Sequence, residues 1–301
     1  MEQGFVTTVL LPVALGVIML GLGLTLTLED FRRVARIPRA VIVGLICQML
    51  ILPAACLGIA HLFALPPELA VGLMLLAASP GGATANLFSH LAKGDVALNI
   101  TLTAVNSVLS LLTLPFIVNF SLEHFMGEGK AIPLQLDKIL QVFAIVLVPV
   151  ALGMFVRAGR PDFARRMEKP VRIVSALFLI AVVAAAVVRE RDNLGVYFEA
   201  VGLAALVFNL ASMAVGYGVP KLVRLSDRQA IAIGMEIGIH NGTLAIAIAM
   251  SPAILNNSVM AMPPAIYSLI MFFTAAAFGW FVSRRVGASA ETALDDDAAE
   301  G

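Results

Sequence analysis

The chain has 301 residues, of which 60% are hydrophobic and only 13% charged, with a mean hydropathy of +0.95 and a formal net charge of zero. That balance excludes an ordinary soluble domain and gives no net basic or acidic character to recruit nucleic acid. Cys47 and Cys56 fall in one apolar segment with neither a disulfide framework nor a metal-type spacing, and read as small core residues.

Nine apolar segments follow in order, near 5–28, 39–63, 68–91, 95–120, 136–156, 170–188, 195–220, 228–250 and 263–283. Each approaches or exceeds the ~20 helical residues needed to cross ~30 Å of hydrocarbon. The first has the flank "MEQG", without a positive n-region, and is expected as a retained helix rather than a cleaved signal. Alternate loops hold Arg32, Arg33, Arg36 and Arg39, then Lys93, then six basic residues between Arg157 and Arg172. Lys221, Arg224 and Arg228, and finally Arg284 and Arg285, continue the same side. Only Lys130, Lys138, Arg189 and Arg191 fall on the other. The positive-inside rule then predicts an outside N-terminus and a cytoplasmic C-terminus in a plasma membrane. The fold class expected is an all-α membrane protein: a nine-helix transmembrane unit over 1–286 and a disordered acidic cytoplasmic tail over 287–301.

Three of the segments carry polar features. The third contains "ASPGGATANLFSHLAKGD", where Pro80, Gly81 and Gly82 predict an interruption. The fourth sets Asn99, Thr103, Asn106, Ser110 and Thr113 on one helical face. Such a face serves interhelical hydrogen bonding or lines a polar site. The eighth contains "GMEIGIHNGTLAIAIAMSP", interrupted at Gly238 and at Asn241-Gly242. The two broken segments lie five crossings apart, so they run in opposite directions, as inverted repeats require. Paired interruptions in matching places point to the binding site of a transporter.

Glu236 is the one acidic residue deep in a span, and no Lys or Arg shares its depth. It is either protonated and hydrogen-bonded, or ionised and paired with a bound cation. Oxygens of Gln48, Asn86, Asn99 and Thr103, with carbonyls freed at the breaks, suit a hard cation such as Na⁺. His240 reads as a packing residue, a cation ligand or a proton carrier. Half-helix N-termini at the breaks favour an anion, which would meet Gly82, Ala83 and Thr84 on one side and Asn241, Gly242 and Thr243 on the other. Asn106, on the polar face of segment 4, is added to these substrate contacts.

"SPGGATANLFSHLAKGDVALNITLTAVNS", followed much later by "EIGIHNGTLA", resembles the bile acid:sodium symporter family, and the likeness runs from the first helix to "GWFVSRR". The resemblance implies a core domain with two crossed, discontinuous helices, here segments 3 and 8 within segments 2–4 and 7–9. A panel domain would comprise segments 1, 5 and 6. It implies Na⁺ as coupling ion, no other cofactor, and alternating access. One Na⁺ site would use Asn86, Asn99, Thr103 and Glu236. The other would use Gln48, Glu236, His240 and the carbonyls of Ile237 and Ile239. Ala85 and Asn99 stand where the family commonly has serines, His240 where it has glutamine, and "HNGTLA" where "QNSGLA" is usual. An imidazole nitrogen matches Na⁺ less well than an amide oxygen. A proton-coupled or uncoupled carrier using Glu236 and His240 is therefore the alternative.

Family members carry bile acids, steroid sulfates or smaller organic acids, so the implied partners are a small organic anion and the bilayer, with no obligatory protein partner. An intramembrane hydrolase is disfavoured: the chain has no Gly-x-Ser-x-Gly elbow, His-Glu-x-x-His or paired intramembrane aspartates.

Overall fold

The computed structural model describes residues 11–82, 84–127, 136–167, 169–171, 173–174, 177, 194–251 and 254–299. Among them the chain is helical, with one isolated antiparallel bridge between Gly81 and His240. In order the helices are α1 Leu11–Thr25, α2 Leu28–Arg32, α3 Pro38–Leu62, α4 Pro67–Ala78, α5 Ala85–Leu91 and α6 Val96–Met126. Then come α7 Leu136–Gly159, α8 Leu194–Leu222, α9 Asp227–Gly238, α10 Gly242–Met250 and α11 Met262–Ala299.

Pro38–Leu62, Leu194–Leu222 and Val259–Arg284 are each long and apolar enough to cross a membrane, and α6 adds a fourth when its bent halves count together. The expected segments 3 and 8 are pairs of shorter helices, α4/α5 and α9/α10. Most of segment 6, with residues 1–10 and Ala83, lies outside the described residues. α11 is drawn as one helix from Met262 to Ala299, over much of the acidic end of the chain. Its alanines and Leu294 are good helix formers.

Two irregularities have covalent causes. Within α3, Cys47–Ile51 form a π-turn, in which the Leu52 N–H bonds the Cys47 carbonyl. Pro53 has no N–H to offer residue 49, so the regular ladder fails just there. In α6, Val96–Ser110 and Leu112–Met126 are bent by 56°. Pro115 lies inside this helix and leaves the carbonyl of residue 111, four positions back, without its donor.

The interior belongs to the interrupted helices. Leu69–Ala78 of α4 and Ala230–Gly238 of α9 are buried on every side, the pattern of a helix enclosed by others. The loops predicted to share the basic side meet at one end: Arg39 donates to the Val223 carbonyl, Arg33 to the Ala97 carbonyl at 3.2 Å, and the Asp95 N–H to the Arg228 carbonyl at 2.8 Å. His61 and His124 meet Nε2 to Nε2 at 2.7 Å, joining the α3 C-terminus to the last turn of α6.

α1 and α7 pack backbone to backbone, with the Gly23 Cα against the Val150 carbonyl and Gly153 against the Leu20 carbonyl. Small residues permit such approach in membranes. Gly153→Leu should therefore force these helices apart and destabilise the detergent-purified protein by about 1–3 kcal/mol. A thermal-unfolding midpoint equal to wild type would contradict that packing.

Candidate functional site

The breaks in the two interior helices cross and pair with each other. α4 ends at Ser79, whose backbone turns extended at φ −73, ψ 150. α9 ends at Gly238, and Ile239 turns aside at φ −110, ψ 88. The Gly82 N–H donates to the Ile239 carbonyl at 2.6 Å, and the Asn241 N–H donates to the Pro80 carbonyl at 2.8 Å. Gly81 and His240 thus face each other in the two-stranded bridge. Backbone groups that would otherwise lie unpaired at membrane depth satisfy one another.

Glu236 occupies the last turn of α9, with 1% of its surface exposed. Its carboxylate lies directly against the Gly81 Cα, in space that a Cβ would fill. Thr103 of α6 donates to Oε2 at 2.6 Å, and Asn106, further along α6, lies against the same carboxylate. Among the described residues Oε1 has no hydrogen-bond partner. Among the described residues no Lys or Arg pairs with Glu236; the ion pairs there are Arg33–Asp30, Arg36–Glu29 and Lys221–Asp227.

Three amides around the crossing share one arrangement. Gln48, on the π-turn of α3, donates through Nε2 to the Ser79 carbonyl at 2.9 Å. Asn99 donates through Nδ2 to the Ala232 carbonyl at 2.7 Å, and Asn209 of α8 donates to the Gly238 carbonyl at 2.9 Å. Each NH₂ group is committed to backbone, which fixes the amide orientation, because a flip would set oxygen against oxygen. Their oxygens, with those of Asn86 and Asn106, are buried without a donor among the described residues, as is His240 Nε2. A buried unpaired acceptor costs about 1–3 kcal/mol. A collection of such acceptors beside a carboxylate is what a cation would satisfy.

The residues expected to hold cations therefore gather at the crossing: Gln48 on α3, Asn86 on α5, Asn99 and Thr103 on α6, and Glu236, Ile237, Ile239 and His240 on and beyond α9. The Ile239 carbonyl already accepts from Gly82. The residues expected to meet an anion are more divided. Gly82 and Asn241 use their N–H groups in the bridge, and the Gly242 N–H donates to the His240 carbonyl at 3.0 Å. The Asn241 side chain caps α10 by accepting from the Leu244 N–H at 3.0 Å. Gly242 packs on the Ser268 hydroxyl. Asn106 lies with the Glu236 carboxylate, whereas Thr84 is exposed and Thr243 half-buried. Three of the N–H groups predicted to be free at the breaks, those of Gly82, Asn241 and Gly242, are thus taken, because the crossing needs them first.

Two residues of this centre have no motif to announce them. Tyr267 of α11, fully buried, donates to the Gly238 carbonyl at 2.9 Å and contacts His240 Nδ1 at 3.0 Å. Asn209 shares that carbonyl. The available signal was a polar residue in the middle of an apolar span, which both are.

The profile of the Sodium Bile acid symporter family matches residues 12–196. The chain belongs to that family. It is 28% identical over 279 residues to the uncharacterized sodium-dependent transporter YocS of Bacillus subtilis (strain 168), covering 92% of this chain and 84% of that one. The hepatic sodium/bile acid cotransporter of Rattus norvegicus is 28% identical over 269 residues, or 88% of this chain and 71% of its own length. The probable chloroplastic sodium/metabolite cotransporter BASS2 of Oryza sativa subsp. japonica is 27% identical over 279 residues, of which this chain spans 65% of the length. These relatives are transporters rather than enzymes, and this family member is an integral membrane protein of a sodium-dependent transporter family.

Gly81→Ala gives a sharp test of the seat under Glu236. The atoms a new Cβ meets first are those of the carboxylate, a movable side-chain end, so the backbone need not shift. The variant should fold with a near wild-type unfolding midpoint, and adding Na⁺ should not raise that midpoint. Retained Na⁺ stabilisation would show that the carboxylate does not depend on that space.

Proposed function

We propose that this protein is a secondary active transporter that couples Na⁺ to the movement of an organic anion by alternating access. The carrying observation is the set of buried acceptors that find no donor, around one carboxylate that finds no cationic side chain, among the described residues. Oxygen-rich, anionic and dry, that set matches a hard monovalent cation in a family of sodium-dependent transporters. One Na⁺ would be held by Asn86, Asn99, Thr103 and Glu236. A second would be held by Gln48, Glu236, His240 and the carbonyls of Ile237 and Ile239. Binding there would tie α3, α5 and α6 to the crossing and so order it for the anion.

The anion would approach where side-chain hydroxyls and the Asn241 amide border the crossing, with Thr84 and Thr243 as its foremost contacts. Relatives named for bile acids and for metabolites supply the classes to try. On this reading the chain is a nine-span protein built from inverted repeats, with segments 2–4 and 7–9 as core and segments 1, 5 and 6 as panel. The close α1–α7 contact supports the pairing of segments 1 and 5. The convergence of the basic loops supports one cytoplasmic end, with the N-terminus outside.

Uptake of candidate anions at fixed pH, with Na⁺ replaced by choline, tests the coupling. Uptake should fall to background; undiminished uptake would overturn the sodium reading in favour of a proton-coupled or uncoupled carrier. Glu236→Ala should lower Na⁺-dependent uptake about a hundredfold or more, the scale of removing one partner of a buried charge pair, while the protein still folds. Na⁺-dependent uptake surviving in this variant would refute the assignment of the carboxylate. His240→Gln, which exchanges a nitrogen ligand for an amide oxygen, should lower the Na⁺ concentration needed for half-maximal uptake.

A further inference from the structure

His240 makes contacts that decide which of its nitrogens carries the proton. Its Nδ1 lies 3.0 Å from the Tyr267 hydroxyl, and that hydroxyl lies 2.9 Å from the Gly238 carbonyl. The Asn209 and Ser212 side chains also lie beside the Tyr267 hydroxyl, but its one hydrogen has two groups in hydrogen-bond range, the Gly238 carbonyl and His240 Nδ1. The carbonyl is an acceptor only, so the phenol hydrogen must go there; otherwise two oxygens would face each other in a buried site without a proton between them. The phenol oxygen is then left as acceptor, and His240 Nδ1 must bring the hydrogen. Asn209 Nδ2 donates to the same Gly238 carbonyl at 2.9 Å, from α8. That carbonyl is free to accept from outside its helix because α9 stops at Gly238. The imidazole is also wedged: Phe208 lies 5.5 Å away centroid to centroid, and Tyr267 meets it edge-on at 5.3 Å. His240 and Tyr267 are both almost wholly enclosed.

The opposite ring nitrogen, Nε2, is buried and has no partner among the described residues. With Nδ1 protonated in the neutral ring, Nε2 carries a lone pair. The ring is anchored at the bridge, where His240 pairs with Gly81, the residue on which the Glu236 carboxylate rests.

We propose that Tyr267 and Asn209, acting through the Gly238 carbonyl, are positioning residues that hold His240 as its Nδ1–H tautomer and turn its Nε2 lone pair into a fixed nitrogen ligand for the cation at the crossing. The tautomer rests on these hydrogen bonds alone; the role of Nε2 rests on the sodium reading above. The relay also connects α8 and α11 to a site whose other members come from α3, α5, α6 and α9. Outer partners of this kind orient a ligating histidine and set its tautomer.

The test uses the full chain in detergent, labelled with ¹⁵N at the histidine rings. There are four histidines, so His240→Gln identifies the His240 signals by their disappearance. Wild type should show His240 neutral and protonated at Nδ1, and Tyr267→Phe, which keeps the ring and removes the hydroxyl, should abolish that preference. The Na⁺ concentration giving half-maximal thermal stabilisation should rise roughly tenfold in Tyr267→Phe, the lower end of what losing such a partner costs a metal site. A wild-type His240 protonated at Nε2 would overturn the proposal, even if Tyr267→Phe fails to fold. So would a folded Tyr267→Phe with unchanged tautomer and unchanged Na⁺ response. Wild type that shows the Nδ1–H form but no stabilisation by Na⁺ would uphold the relay and refute the sodium reading instead.

Discussion

Two helices interrupted at membrane depth must find partners for the backbone groups that the interruption frees. Here each break supplies them to the other, through the Gly82 and Asn241 N–H groups and the Ile239 and Pro80 carbonyls. The rest of the centre depends on that exchange. It brings Gly81 under Glu236, and the missing side chain there makes room for a carboxylate that no larger residue would leave. It also leaves the Gly238 carbonyl open to donors from α8 and α11. A buried acid, a glycine and a helix end are thus parts of one arrangement.

The hydrogen-bond directions around the crossing are one-sided. Amide NH₂ groups of Gln48, Asn99 and Asn209 are anchored to backbone carbonyls, and the oxygens and the histidine lone pair remain. Several donors at the helix starts are already engaged, Asn241 capping α10 with its own side chain. The centre therefore offers much to a cation and little to an anion. On the proposed reading this fits an order of events in which cation comes first, because an anion gains its electrostatic partner only once positive charge is in place.

What the sequence made legible were local signals of unusual strength. Pro80-Gly81-Gly82 and Asn241-Gly242 announce breaks by backbone chemistry, and Glu236 stands out because a carboxylate in an apolar run is costly. Periodicity was enough to put Asn99, Thr103 and Asn106 on one buried face of α6. The pairing of the breaks was not legible, since a bridge between positions 81 and 240 leaves no periodic trace. Tyr267 and Asn209 escaped notice for the same reason: each acts on residues nearly thirty positions away, and nothing near them in the chain marks the role. Donors at the breaks were assigned to a ligand because sequence shows which groups a break frees, and not which of them a neighbour then takes.

The π-turn at Cys47–Ile51 has a consequence for how this helix compares with its relatives. A π-turn holds one more residue than the α-turn it replaces, so the stretches Pro38–Ile46 and Leu52–Leu62 are out of phase by about 100°, one residue's rotation. Any relative whose second helix is regular can be superposed on one stretch or on the other, and on both only with a single-residue gap between them. Deleting one residue from 47–51 would bring the two stretches back into phase, although Pro53 would still deny a donor to the carbonyl four residues before it. The turn is in effect an inserted letter, and the reading frame of the helix changes at the glutamine.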